Sequence, residues 1–212
     1  MRVIGFDLDM TIVDSSEAIV DSVAAVGRRW DVPIDEAWLR ATLGLPLDIV
    51  FPQLVPGVPY AEALEVYRAR YLSHGLAMHH VLPGVRESLE AVVAAGFSIL
   101  VVSAKKDTHV RAVLESVDLD HLVADVVGER FAEGKSESLR AHHAEMYVGD
   151  HVGDVSGARG AGAVAVAVAT GPTTAAELAA AGADVVMDDL TDFVPWWHDW
   201  LDGAAVPQEE TA

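Results

Sequence analysis

The chain has 212 residues, 51% of them apolar, and a formal net charge of −19 at pH 7. This composition can bury a full core, whereas the negative charge argues against nucleic acid or an anionic membrane surface as a partner. The absence of cysteine excludes disulfides, thiol catalysis and cysteine-ligated metals, and without a leader or a bilayer-length apolar run we expect a soluble cytoplasmic protein.

The first apolar run, Val3–Phe6, predicts a short buried strand that ends at a pair of carboxylates, Asp7 and Asp9. Residues two apart on a strand start on the same side, and two crowded carboxylates call for a cation or a shared proton between them. The alternative is an acidic turn that closes the strand, in which Asp9 or Thr11 caps the next segment.

Residues 15–80 contain no convincing strand and predict a helical insertion between the first strand and the rest of a sheet. We expect hinges near residues 13–16 and 79–83, which would let this insertion open and close. The predicted helices are Ser16–Trp30, Asp35–Leu43 and Tyr60–His74, with Asp35 as an N-cap and Gly44 and Gly75 as C-caps.

After residue 80 the pattern alternates between strands and helices, which predicts right-handed crossovers and a parallel sheet covered on both faces. The fold class is therefore α/β, a Rossmann-like doubly wound parallel sheet with an inserted α-helical cap. The core comprises residues 1–14 and 81–203, the cap residues 15–80, and we expect residues 204–212 to be disordered. The predicted strands are Ser98–Val102, Met146–Val148, Val164–Ala169 and Asp184–Met187, and the helices are Val85–Ala95, Thr108–Val117, Ser136–His143 and Thr174–Ala181.

Polar residues follow several of these strands, and such residues meet at the carboxyl edge of a parallel sheet. Ser103 follows the second core strand, Asp150 and Asp154 follow the third, and Lys135 heads the helix before it. Carboxylates, a hydroxyl and a lysine at one edge form a site for phosphoryl transfer assisted by Mg²⁺.

Each of these residues also has a purely structural interpretation. Ser103 would satisfy a loop, Lys135 would be a solvated surface charge, and Asp150 and Asp154 would cap a helix that begins near Val155. Lys105 and Lys106 compete with Lys135 for a catalytic role.

Four motifs in this order resemble the haloacid dehalogenase-like superfamily, in its phosphoglycolate phosphatase-like branch with a helical cap. They are Asp7-Leu-Asp9-Met-Thr11, Ser103, Lys135 and Gly149-Asp150-His-Val-Gly-Asp154, and the resemblance covers almost the whole chain. Three positions depart from the usual pattern: Met10 replaces a glycine, Lys135 lacks a following proline, and His151 stands where a small hydroxyl residue is common.

The resemblance implies a role for each matching residue. Asp7 would be the nucleophile that forms an aspartyl phosphate, and Asp9 the general acid and base. Mg²⁺ would bind the carboxylates of Asp7 and Asp150 and the main-chain carbonyl of Asp9, supported by Asp154. Thr11 would steady the loop, and Ser103 and Lys135 would contact the phosphoryl group. In the cap, specificity and substrate binding are expected near Arg40 and Gly44.

The function implied is hydrolysis of a small phosphorylated metabolite, phosphoglycolate or another phosphate monoester, by a monomer or weak homodimer. A phosphomutase of the β-phosphoglucomutase type keeps the same acids and stays open. Two further alternatives from other classes are a receiver-like phosphoacceptor and a non-catalytic phosphate-binding scaffold. Dehalogenases of this fold lack the second acid, and phosphonate-cleaving relatives need a cap lysine, whereas no lysine precedes Lys105.

Overall fold

The computed structural model describes residues 2–204. Its centre is a six-stranded sheet in the order β5-β4-β1-β6-β7-β8, with every neighbouring pair parallel. The strands are β1 (Val3–Phe6), β4 (Ser98–Val102), β5 (Val123–Val127), β6 (Ala144–Gly149), β7 (Val164–Val168) and β8 (Val185–Met187).

The chain winds outward from β1 through β4 to β5, then returns to β6 on the other side of β1 and continues to β8. The order of the strands therefore reverses beside β1 and β6, which is where ligands bind in open α/β sheets. This arrangement confirms the predicted α/β doubly wound fold.

Two separate apolar clusters cover the two faces of this sheet, because successive side chains of each strand point to opposite faces. In β4, for example, Ile99 and Val101 join the larger cluster, and Leu100 and Val102 join the smaller one. The larger cluster contains residues of α5 (Val85–Ala94), α6 (Asp107–Ser116) and α10 (Phe193–Ala204), and the smaller one residues of α7 (Glu133–Ala141), α8 (Val152–Ala161) and α9 (Ala175–Ala180).

Four helices lie between the first strand and the rest of the sheet. They are α1 (Ser16–Trp30), α2 (Glu36–Ala41), α3 (Leu47–Leu54) and α4 (Tyr60–Ser73). An ion pair between Asp21 and Arg70 joins α1 to α4, with N–O distances of 2.5 and 3.0 Å. Asp35 caps α2 by accepting a hydrogen bond from the backbone N–H of Trp38.

Both connections between these helices and the sheet run through a two-stranded antiparallel ribbon, β2 (Val13–Asp14) and β3 (His80–Val81). The ribbon lies within the two segments predicted as hinges. We propose that residues 15–80 form a cap that moves on this ribbon.

The strand β5 and the helix α3 were not predicted. In β5 only Val126 is buried, because the strand lies at the edge of the sheet, so its apolar pattern is weak. Helix α3 contains Pro52 and has no side-chain N-cap. A proline inside a segment and a missing cap both argue against a helix when only the sequence is considered. The helices whose bounds were predicted begin and end within three residues of those bounds, namely α1, α2, α4, α5, α6, α7 and α9. No bounds were predicted for α10.

At the C-terminal end, Phe193 and Trp197 of α10 are fully buried and stack on one another. The predicted disordered tail lies outside the described residues, apart from Ala204, the last residue of α10. In the described part of the chain, no helix is both long and apolar enough to cross a membrane.

Candidate active site

Three polar residues follow three adjacent strands at the carboxyl edge of the sheet. Asp7 follows β1, Ser103 follows β4 and Asp150 follows β6, and β1 lies between the other two strands. The Asp7 N–H donates to the carbonyl of Val148 (2.8 Å), which extends the pairing of β1 with β6 by one residue. The predicted convergence of these side chains follows directly from the strand order.

Lys135 lies between two of the aspartates. Its Nζ is 3.0 Å from Oδ1 of Asp7 and 2.5 Å from Oδ1 of Asp154, and all three residues are buried. Burial alone lowers the pKa of this ammonium, but the carboxylates of Asp154 and Asp7 raise that pKa well above its ordinary value. Lys135 is therefore a buried positive charge in the site and not a solvated surface lysine.

Asp150 completes a group of three buried carboxylates. Ligand atoms of Asp7, Asp150 and Asp154 all lie within 4.8 Å of one another. Thr11 Oγ1 donates to Oδ1 of Asp150 (3.3 Å), but Oδ2 of Asp150 has no hydrogen-bond partner among the described residues. Among the described residues, Lys135 is the only partner of Asp7 Oδ1.

The charges of this group are not balanced, since one ammonium faces three carboxylates. Burial raises the pKa of Asp7 to about 7, although the charge of Lys135 lowers it, and Asp154 and Asp9 raise it further. Burial and the neighbouring charges of Asp154 and Asp7 raise the pKa of Asp150 well above its ordinary value. Unpartnered, buried carboxylate oxygens with excess negative charge fit a hard divalent cation such as Mg²⁺.

Glycines allow the backbone to approach these carboxylates closely. A Cβ on Gly171 would overlap Oδ2 of Asp150, and one on Gly149 would overlap the side chain of Asp154. The carboxylate of Asp150 therefore occupies its present position only because residue 171 has no side chain.

Asp9 has a different lysine as its partner. Lys105 Nζ lies 3.2 Å from Oδ2 of Asp9 and 4.2 Å from the ring centroid of Tyr71 on α4. Burial lowers the pKa of Lys105, but the carboxylate of Asp9 raises it, and the net shift is upward. Tyr71 in turn shares a 2.5 Å hydrogen bond with Nε2 of His79, next to the ribbon, so this cluster joins the second acid to the helical segment.

Ser103 is buried and its Oγ accepts a hydrogen bond from the backbone N–H of Lys105 (3.2 Å). Among the described residues no acceptor takes the hydroxyl proton of Ser103, so that proton is available to a ligand at the sheet edge.

The loop after β1 is held by its own backbone. The carbonyl oxygen of Leu8 accepts hydrogen bonds from the backbone N–H groups of Thr11, Ile12 and Val13. The hydroxyl of Thr170 donates a hydrogen bond to the carbonyl of Met10. Met10 adopts a φ of +57°, a left-handed conformation that favours glycine. This backbone requirement explains the glycine that the resembling sequences usually have here, and Met10 adopts the same conformation against the preference of a side chain.

Helix α8 begins at Val152, three residues before the predicted start near Val155. Its N-cap is His151, whose Nδ1 accepts from the N–H of Gly153, while Asp154 Oδ2 accepts from the N–H of His151. Both oxygens of Asp154 thus have protein partners, whereas Asp150 precedes the cap and keeps one oxygen free. Burial lowers the pKa of His151, which favours the neutral ring that this cap requires.

A cavity of about 460 Å³ lies between α2–α4 and the core. Asp9 and Lys105 border it, as does Gly44, whose φ is +94°. Arg40, predicted to bind substrate, does not border it: its Nη2 lies 2.8 Å from both Glu17 and Glu36, with the side chain 38% exposed. The structure therefore brings Gly44 to the site and leaves Arg40 at the surface.

The sequence and fold also resemble known proteins. The sequence model of the family described as haloacid dehalogenase-like hydrolase matches residues 4–168. A relative named probable phosphatase IndB, from Dickeya dadantii, is 30% identical over 95% of this chain and 96% of its own length. The chain belongs to the haloacid dehalogenase-like hydrolase family.

Other members of this hydrolase family are similar over nearly their whole length. A phosphoglycolate phosphatase from Mannheimia succiniciproducens is 25% identical, over 91% of this chain and 96% of its own. A haloacid dehalogenase-like hydrolase from Streptococcus pneumoniae has the same fold, with a TM-score of 0.82 and 22% identity over 93% of this chain and 98% of that one. The predicted family, its phosphoglycolate phosphatase-like branch and its class of enzyme, a hydrolase, are confirmed.

Two residues near this hydrolase site were not assigned a function of their own from the sequence. Lys105 was considered only as a rival to Lys135, and its pairing with Asp9 could not be seen because the two residues are 96 positions apart. Tyr147 lies beneath Lys135, with Nζ 5.4 Å from its ring centroid, and its hydroxyl donates to the carbonyl of Val102 (2.6 Å). Tyr147 lies inside the buried strand β6, and its sequence position gives no sign that it contacts Lys135.

Proposed function

We propose that the protein is a Mg²⁺-dependent phosphatase that hydrolyses a small phosphate monoester, phosphoglycolate-like or other, through an aspartyl phosphate on Asp7. The observation that carries this proposal is the buried position of Lys135 between Asp7 and Asp154, beside an oxygen of Asp150 that has no hydrogen-bond partner among the described residues. The names of the curated relatives support it, since they are phosphatases.

In this proposal Asp7 acts as the nucleophile. One of its oxygens attacks phosphorus, the bond from phosphorus to the leaving oxygen breaks, and the alcohol departs. Lys135 offsets the charge that accumulates on Asp7 and on the phosphoryl oxygens, and the free hydroxyl proton of Ser103 donates to one of those oxygens.

Asp9 transfers the protons. In the first step it gives a proton to the leaving oxygen. In the second it takes a proton from the water that attacks phosphorus, the bond from phosphorus to the Asp7 oxygen breaks, and inorganic phosphate leaves with the Asp7 carboxylate restored. The contact with Lys105 fixes its carboxylate on the side of the cavity, where the alcohol would lie.

Mg²⁺ would be held by the carboxylates of Asp7 and Asp150 and the carbonyl of Asp9, with Asp154 and Thr11 orienting these ligands. When bound, it neutralises negative charge and allows a dianionic phosphate to approach Asp7. The unpartnered oxygen of Asp150 and the side-chain-free space at Gly171 support this ligand set.

The proposal is tested by measuring release of inorganic phosphate from 4-nitrophenyl phosphate, with Mg²⁺ and with chelator. We expect turnover only with Mg²⁺, and a phosphorylated peptide containing Asp7 after rapid acid quench. Full turnover in chelator would contradict the metal requirement. A sugar phosphate that is isomerised without phosphate release would instead indicate a phosphomutase, and a phospho-protein that persists without turnover would indicate a receiver-like phosphoacceptor.

A further inference from the structure

The cavity between α2–α4 and the core lies on the leaving-group side of the site. Asp9, proposed above to protonate the leaving oxygen, borders this cavity, whereas Asp7, Ser103 and Lys135 do not. A phosphoryl group held by the latter residues would therefore direct its alcohol into the cavity.

The cavity is large for a two-carbon alcohol. Its volume of about 460 Å³ equals the bulk share of roughly 15 water molecules, at ~30 Å³ each. It falls within the range of pockets that hold ring-sized ligands, ~300–1,000 Å³. A glycolate group would leave most of this space to water.

Apolar side chains form somewhat more than half of its walls, and polar groups form the rest. The helical segment contributes leucines and a valine, and aromatic side chains come from α4 and from the loop before α7. Water against these apolar side chains is less favourable than a carbon framework. They include Leu43, Leu45, Val50, Leu64, Tyr67 and Phe131.

Two cations of the cavity are already paired inside the protein, Lys105 in a buried ion pair and Arg68 in a more exposed one. Lys105 contacts Asp9 at 3.2 Å, and Arg68 contacts Glu129 at 3.0 Å. His109 is neutral near pH 7, because burial and then the nearby charge of Lys105 lower its pKa to about 4. The other charged residues that border the cavity are partly or fully exposed, namely Asp48, Lys106 and Arg130.

Three features of the cavity support one inference: its size, the apolar side chains in its walls, and the ion pairs that already hold Lys105 and Arg68. We propose that the substrate's leaving group is an uncharged, ring-bearing alcohol. This inference rests on the proposed phosphatase function and specifies its substrate class. An acidic leaving group such as glycolate would have to compete with Asp9 for Lys105 or with Glu129 for Arg68, or else bind the more exposed Lys106 or Arg130 at the rim. A group as small as glycolate would also fill little of the space.

Four phosphate monoesters of primary alcohols separate size from charge, because their leaving groups have similar intrinsic reactivity. They are ethyl phosphate, phosphoglycolate, benzyl phosphate and 4-carboxybenzyl phosphate, each assayed by phosphate release with Mg²⁺. We expect kcat/KM for benzyl phosphate to exceed that for ethyl phosphate at least tenfold. We expect 4-carboxybenzyl phosphate to fall at least tenfold below benzyl phosphate, and phosphoglycolate to be no better than ethyl phosphate.

Other rankings overturn the inference. A preference for phosphoglycolate or 4-carboxybenzyl phosphate would mean that the cavity binds an acid, and ethyl phosphate equal to or better than benzyl phosphate would mean that the cavity does not hold the leaving group. Failure to hydrolyse any of the four with Mg²⁺ would contradict the proposed phosphatase function itself, a result distinct from a wrong ranking.

A pair of substitutions on α4 tests the location. Leu64 borders the cavity, and Leu72, two turns further along the same helix, is 42% exposed and does not. We expect Leu64→Trp to lower the ratio of kcat/KM for benzyl over ethyl phosphate at least tenfold, and Leu72→Trp to leave that ratio within twofold. If Leu64→Trp does not fold, Leu45→Trp fills the same cavity from the turn before α3, and an unchanged ratio in either folded variant overturns the inference.

Discussion

Lys105 Nζ lies 3.2 Å from Oδ2 of Asp9, so the second acid of the site has an ammonium partner of its own. The first acid, Asp7, has Lys135 as its partner, with Nζ 3.0 Å from Oδ1 of Asp7. Two buried lysines thus lie at this sheet edge, one beside the proposed nucleophile and one beside the proposed proton-transfer group.

The two lysines should therefore differ in importance. Lys135→Ala should lower kcat by about 10²–10³-fold, because it removes the positive charge between Asp7 and Asp154. Lys105→Ala should cost about tenfold, as expected for one charged hydrogen bond worth ~1.5 kcal/mol. Lys106→Ala, at a more exposed position, should cost least. Steady-state kinetics on 4-nitrophenyl phosphate gives the ranking, and a larger loss for Lys105→Ala than for Lys135→Ala would exchange their roles.

Substitutions of the two acids of the first motif should impair different steps of the reaction. Asp7→Asn should abolish turnover and phospho-enzyme formation, since an amide is a far poorer nucleophile than a carboxylate. Asp9→Asn should lower kcat by ~10²–10⁴-fold through lost proton transfer. Phosphate release and acid-quench trapping measure the two effects, with circular dichroism to establish folding. Near-normal activity of Asp7→Asn would place the nucleophile elsewhere.

Without metal, the protein should lose stability as the pH rises from about 4 to about 7. Burial raises the pKa of Asp7 from 3.8 to about 7, so ionisation of this group opposes folding across that window. Asp7→Asn should remove part of this loss and raise the melting temperature at pH 8 in chelator by ~2–4 °C for each kcal/mol recovered. Thermal unfolding at several pH values tests this, with Asp31→Asn as the control. A lower melting temperature for Asp7→Asn at pH 8 would contradict it.

Gly171→Ala should weaken metal binding. The added Cβ would overlap Oδ2 of Asp150, so that carboxylate must turn away from its present position. The Mg²⁺ concentration for half-maximal activity should rise by ~10–100-fold, the usual effect of disturbing the residues around a metal ligand. Gly203→Ala is the matched control, because no atom of the described residues would lie within 4 Å of a Cβ there. An unchanged Mg²⁺ requirement in Gly171→Ala would remove Asp150 from the ligand set.

Arg40→Ala should change kcat/KM by less than twofold for all four monoesters. Its guanidinium bonds Glu17 and Glu36 at the surface and does not border the cavity. A selective loss on the two acidic monoesters would show that cap movement brings Arg40 to the substrate, as the sequence analysis expected.

The sequence by itself determined the fold and the identity of the chemical groups. Short buried strands that alternate with amphipathic helices have few arrangements besides a parallel sheet, and parallel strands place the residues that follow them at one edge. Asp7, Ser103 and Asp150 could thus be predicted as neighbours from their position after three strands. Strand β5 and helix α3 were missed because an exposed edge strand and a helix with an internal proline carry weak local patterns.

The tertiary structure decided which charged groups pair with one another. Nothing local distinguishes Lys105 from Lys106, and the pairing of β1 with β4 brings the loop that carries them beside the loop that carries Asp9. Arg40 was assigned to substrate from its place in the cap, whereas its guanidinium contacts Glu36, one turn earlier on the same helix, and Glu17, which the packing of α1 against α2 brings to it. The contact of Lys105 with Asp9, the contact of Arg40 with Glu17 and the cavity all depend on side chains from distant segments, so local propensity carries no record of them.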